Sequence, residues 1–365
     1  AVGYAGFDGD GGPATRALLN SPGSVAVDGL GDLYIADANN FCVRRVDAST
    51  GRISTVVGVP GQSGQNPEGG LAIATPIPLP GQVVVDGRGN LYLVIEWMHR
   101  VLRVDATTGR IERFAGTGEW GSDGDGGPAA AARLDNPSGL AVDRSGDLYI
   151  ATRLSIRKVS AADRTIRSVA SLGAEANRVA VAPDGRMAVS LKSHAVVLVD
   201  AAGASTPLAG TGEQSFGGDG GPATAAGLSF PTALAWTRSG ALLVADTYNH
   251  RIRRVEGSVI GTVAGSGSLE SGGCTRADCL EAPDAWGIAF DAEGRLLVAQ
   301  RANHVVRRVD LAAKTMQIVA GTFGVNGFAG DAGPAREARL NYPEDVAFDA
   351  QGNLLIVDNF NGRLR

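Results

Sequence analysis

The sequence predicts an all-β chain folded as a single β-propeller of four-stranded blades, and three observations carry that prediction. A gapped phrase recurs seven times along the 365 residues. Each copy breaks into short β-branched runs separated by turn residues, the pattern of strands rather than helices. Glycine is abundant, at 52 residues, while aromatics make up only 5%, a composition suited to many tight turns. One blade of four short strands cannot bury both of its faces alone. Copies must therefore stack around a ring, and one ring is one domain however long the chain.

The copy opening at Pro22 reads PGSVAVDGLGDLYIADANNFCVRRVD, and the copy opening at Pro231 reads PTALAWTRSGALLVADTYNHRIRRVE. Others open at Pro80, Pro137, Ala176, Ala285 and Pro343. Each parses alike: a first run (VAVD), a turn holding glycine, a second run (LYIAD), a polar loop, a third run alternating arginine with apolar residues (RIRRV), and a fourth such as TVAG. The turn glycines are Gly31, Gly89, Gly146, Gly185, Gly240, Gly294 and Gly352. The interval from Gly146 to Gly185 is the shortest, so the fourth copy is expected to be the least regular blade. The seventh copy stops after its third run. Ala1-Val2-Gly3 matches Val56-Val57-Gly58 at the end of the first copy's fourth run. An N-terminal strand is therefore expected to complete the seventh blade and close the ring, removing open sheet edges and making residues 1–365 one domain.

The phrase resembles the NHL-repeat family over nearly the whole chain. The Asn-His signature stands here as Asn249-His250-Arg251-Ile252 and Asn303-His304-Val305-Val306, and the linker GDGGPATxAxL is similar to that of bacterial members. The resemblance implies a propeller, with six blades as the alternative to the seven counted. Related propellers include lyases and lactonase-like hydrolases with a divalent metal at the channel mouth. The resemblance thus implies an enzyme as the alternative to a recognition module.

Composition excludes some functions. The net charge is −5, without long runs of one sign, which gives no footprint for nucleic acid or an anionic membrane. No apolar stretch approaches the ~18 residues of a membrane span, and no signal-peptide pattern is expected in this chain. Cys274 and Cys279 share a glycine-rich loop, SGGCTRADCLEAP. They are expected to form a local disulfide, which points to a secreted, periplasmic or cell-surface protein. Cys42 stands alone in a strand and reads as a buried apolar residue.

The candidate site is the channel mouth, where loops from successive blades converge. His99, His194, His250 and His304 hold one equivalent position ahead of the third run. They read as a structural feature of the repeat, with a shared metal site as the alternative. The aspartates of the GDGGP linkers, Asp10, Asp125, Asp219 and Asp331, read as caps of a short helix begun by the following proline. Departures from the repeat are more informative. The second run ends in Asp37, Asp246 and Asp358, but elsewhere in Ile95, Thr152, Leu191 and Gln300. Beside these ends and at the entries to the first runs lie Glu96, Trp97, Arg153, Arg178, Trp286, Arg301 and Asp345. Such a set suits a polar, partly planar ligand held by stacking and charged hydrogen bonds. Glu96 as base, His99 as acid and Asp345 or Glu344 as a second carboxylate are the catalytic candidates. The expected partner is a protein, glycan or small molecule, with no nucleic acid, no membrane insertion and no cofactor. A divalent metal belongs to the enzyme alternative.

Overall fold

The computed structural model describes residues 6–65, 68–182, 184–200, 204–265, 285–291, 294–311, 313, 315–348 and 352–365. The fold is all-β, with the seven antiparallel blades of a β-propeller, one for each sequence copy. In blade 1, β1 (Pro22–Val27), β2 (Leu33–Asp37), β3 (Cys42–Val46) and β4 (Ile53–Val57) hydrogen-bond in chain order. Blades 2 to 6 repeat this over 83–115, 139–171, 176–209, 231–264 and 285–320, and blade 7 shows, among the described residues, three strands over 343–364. The expected closing strand, Ala1-Val2-Gly3, lies outside the described residues. Around the same point, Leu19 N–H donates to the Gly362 carbonyl (2.7 Å) and Arg363 Nη1 to the Ala17 carbonyl (2.7 Å).

The chain divides into two compact units. The first unit holds the described residues through 176 with those of 352–365, and the second those of 177–348. In each, the core lies between neighbouring blades. In the first unit Tyr92, Val94 and Phe114 of blade 2 pack on Leu140, Leu148 and Ile150 of blade 3. In the second, Ala188 and Val196 of blade 4 pack on Leu242 and Val244 of blade 5. Second strands are apolar on both faces because a blade follows on each side; Leu91–Ile95 is buried throughout.

The linkers seal these cores. In each GDGGP linker the short 3-10 turn begins after the proline, and no side chain caps it. The linker aspartate is thus not a helix cap. Asp10 accepts from Arg44 Nη2 (2.5 Å) and Thr55 N–H (3.0 Å). Asp125 accepts from Arg157 (2.6 Å) and Ser168 N–H (2.8 Å), and Asp219 from Arg253 (2.7 Å). These third-strand arginines are fully buried, and each sits at a register shift between third and fourth strands, where a bulge re-aims the side chain. Blade 2 has Leu102 at this place and Glu68 in its linker, and Leu102 packs in the apolar core instead. Blade 4 follows a connection of only 172–175. It nevertheless has four strands and the same register shift at Val196/Val197.

Candidate functional site

The four histidines share one local structure. Each terminates the loop after the second strand in the left-handed region, with φ of 53, 59, 54 and 58° for His99, His194, His250 and His304. This turn delivers the imidazole to the entry of the next blade. His99 Nδ1 accepts from Asn136 N–H (3.2 Å), His194 from Phe230 N–H (3.0 Å) and His304 from Tyr342 N–H (3.2 Å). Burial lowers the pKa of His304, in keeping with an Nδ1 that accepts a hydrogen bond. His99, His194 and His304 are thus blade-to-blade latches. Among the described residues no group of three or more His, Cys, Asp or Glu side chains is placed to hold a metal ion.

The aspartate ending the second strand is a buried hub rather than a rim group. Asp246 accepts from Ser229 N–H (2.6 Å), Asn249 Nδ2 (2.9 Å) and Arg253 Nη1 (3.2 Å), and Asp37 from Asn20 N–H (2.6 Å) and Asn40 Nδ2 (2.8 Å). Burial pushes the Asp37 carboxyl up to about 6 against those bonds, and raises Asp246 likewise. The replacements Ile95, Thr152, Leu191 and Gln300 are equally buried. Variation at this place exchanges a polar hub for core and is not variation at a ligand-facing surface. The entry residues also have structural work. Ser24 Oγ accepts from Val83 N–H (3.3 Å) and Gln82 Oε1 from Leu140 N–H (2.8 Å), linking the first strands of successive blades.

The remaining candidates fall into two groups, one in each unit. In the second unit the Arg301 guanidinium lies 4.2 Å from the Trp286 ring and 5.6 Å from that of Tyr342. Tyr342 in turn packs edge-on against His304, ring centroids 5.1 Å apart. Among the described residues Arg301 forms no ion pair, and its Nε is buried without a hydrogen bond. Asp345 backs onto the residue after Trp286: a Cβ at Gly287 would lie 2.7 Å from the Asp345 Cα and Oδ1. The structure thus places Arg301 against Trp286 and Tyr342, with Asp345 beside the neighbouring Gly287. Arg178 does not join them, its Nη1 donating to the Asn177 carbonyl (3.2 Å).

In the first unit Glu96 and His99 do not face each other as acid and base. Both engage Asn136, Glu96 through its side-chain amide (3.1 Å) and His99 through its backbone. Trp97 projects into solvent, 52% exposed. Arg153 Nε donates to Asp135 Oδ2 (3.0 Å), whose Oδ1 accepts from Trp120 Nε1 (2.6 Å). Trp120 and Asp135 were not singled out from sequence. Their signal was present, since Trp120 stands where other linkers carry Gln214 and Asn326, each bridged to the equivalent leucine. Cys42 is a buried free thiol, its pKa raised by burial and by Asp37 beside it. Cys274 and Cys279 lie outside the described residues.

A family model described as SMP-30/Gluconolactonase/LRE-like region matches residues 80–323, and an NHL repeat model matches residues 19–46. NHL repeat-containing protein 2 of Homo sapiens is 27% identical over 331 residues, covering 84% of this chain and 41% of that protein. Teneurin-4 of Mus musculus is 30% identical over 262 residues, covering 67% of this chain and 8% of that protein. The chain spans about two fifths of the NHL repeat-containing relative. Among solved structures, a streptogramin B lyase superposes with a TM-score of 0.64 at 13% identity, covering 96% of this chain and 93% of that one. Virginiamycin B lyase from Staphylococcus aureus gives 0.62 at 13% identity, with coverages of 92% and 91%. At such identity the likeness is one of fold alone.

Proposed function

Because this chain belongs to the SMP-30/gluconolactonase/LRE-like family and its blades are NHL repeats, we propose that it acts as a recognition module that binds a carboxylate- or carbonyl-bearing ligand at Trp286 and Arg301. The observation that carries this reading is the unpaired Arg301 guanidinium held against two aromatic rings. Stacking fixes the plane of the guanidinium and leaves its donor edge for a planar acceptor, which a lysine ammonium cannot reproduce. The enzyme alternative has less support, since Glu96 and His99 are both engaged by Asn136. The test is an array of acidic peptides probed with the wild type, Arg301→Lys and Arg301→Ala. Both variants should lose binding about tenfold or more, one charged hydrogen bond being worth roughly 1.5–3 kcal/mol. Unchanged binding would sink the assignment. Turnover of lactones or esters that disappears with Arg301→Ala would move the reading to an enzyme.

The proposed setting is outside the cytoplasm, resting on the Cys274–Cys279 pair. Thiol titration of the denatured, unreduced chain should count one free thiol, that of Cys42. Three free thiols would remove the basis for this setting.

A further inference from the structure

We propose a second binding site, beyond the ligand reading above and on different residues: Trp120, Asp135 and Arg153 form a platform for a pyranose ring of a neutral glycan. Three departures from the repeat meet here in one hydrogen-bonded triad. Trp120 replaces the Gln214 and Asn326 of other linkers. Asp135 stands two residues before the entry proline, where other copies carry Asn20, Ser229 or Asn341. It thus introduces a carboxylate in the blade whose second strand ends in Thr152 rather than aspartate. Arg153 follows Thr152 in that blade's loop, and its backbone N–H is fixed to the Asp135 carbonyl (2.7 Å).

The geometry leaves the right groups free. Asp135 is nearly buried, yet it holds two exposed partners: Trp120 is 61% exposed and the Arg153 side chain 44%. The indole is anchored by its Nε1 and the guanidinium by its Nε. Among the described residues no group hydrogen-bonds the Nη atoms of Arg153, and the indole is largely exposed, so neither needs to be ordered when a ligand arrives. Because Arg153 and Asp135 neutralise each other, the site has little attraction for an anion. It offers an apolar face beside fixed donors and acceptors, which suits a ring with C–H groups on one face and hydroxyls at its edge. If the triad only braced the linker, the indole ring would be packed rather than open to solvent.

The test titrates cello-, malto- and chito-oligosaccharides into the wild type, Trp120→Ala, Trp120→Phe and Arg153→Lys, following ligand signals by saturation-transfer NMR. Thermal melts check that each variant is folded. The wild type should bind at least one neutral series in the millimolar range or tighter. Trp120→Ala should abolish that binding, Trp120→Phe should keep part of it, and Arg153→Lys should weaken it about tenfold. Glucuronate serves as the anionic arm. No binding of any neutral series, binding that survives Trp120→Ala, or binding of glucuronate alone would each overturn the proposal. None of these results bears on Arg301, which is tested with peptides.

Discussion

Replacing Arg253 with alanine is expected to cost the folded chain about 3–5 kcal/mol, because it strips a buried charge network of its centre. Arg253 is fully buried and donates to the carbonyls of Gly227 (3.1 Å) and Gly217 (3.1 Å) and to the carboxylates of Asp246 (3.2 Å) and Asp219 (2.7 Å). Its loss leaves Asp246 buried without a counter-charge and opens a cavity the length of an arginine side chain. Arg253→Lys should rescue little, since one ammonium cannot span four acceptors on three segments. Arg253→Met, which fills the space without a charge, is expected to be no worse than the lysine variant. The measurement is the denaturant midpoint at unchanged slope. A loss below about 1 kcal/mol for the alanine variant would show that the network is dispensable.

The second large effect belongs to Gly116, which follows the fourth strand of blade 2 at φ +89°. A Cβ there would lie 2.1 Å from the His99 carbonyl oxygen and 3.1 Å from the Arg100 Cα. Both obstacles are backbone, so neither can swing aside. Gly116→Ala is expected to cost roughly 3–5 kcal/mol, combining left-handed strain with displacement of the loop that carries the histidine latch. Gly126→Ala is the matched control. Gly126 has φ +82° with nothing within 4 Å of an added Cβ, so only the strain of roughly 1–2 kcal/mol should appear. Equal losses in the two variants would mean that the loop yields and the close approach has no energetic weight.

The strands were legible because their letters are local. VAVD, the turn glycine and LYIAD mark each blade by alternation and turn chemistry alone, and the seven copies became seven blades. The position of the histidines was equally plain, but their role was not, since the group they hold is a backbone N–H that no side chain marks. The second-strand aspartate was misplaced for a related reason. A polar residue at a strand end reads as solvent-facing, whereas Asp37 and Asp246 are covered by the linker and paired with an arginine further along the chain. That pairing could have been read: Asp10, Asp125 and Asp219 accompany Arg44, Arg157 and Arg253, while the copy with Glu68 has Leu102. Of the candidate site, Trp286, Arg301 and Asp345 emerged as departures from the repeat. Trp120 and Asp135 did not, because they meet Arg153 only after linker and loop have been folded onto each other.

The linkers also change what counts as one repeat. Asp125 binds the third strand of the blade that follows its linker, while the Asn136 N–H at the end of that same linker binds the histidine of the blade before. A cut at Gly116 keeps the side-chain pair Asp125–Arg157 in one piece and leaves across the join only the bond from His99 to a backbone N–H, which any residue but proline supplies. The piece that can be duplicated, exchanged between propellers or inserted into another chain therefore starts with the linker, just after the glycine that closes the preceding blade, and ends at the next such glycine. A chimera joined at Gly116 should therefore keep the Asp125–Arg157 pair, and one joined at Pro137 should lose it unless both parents carry its two halves.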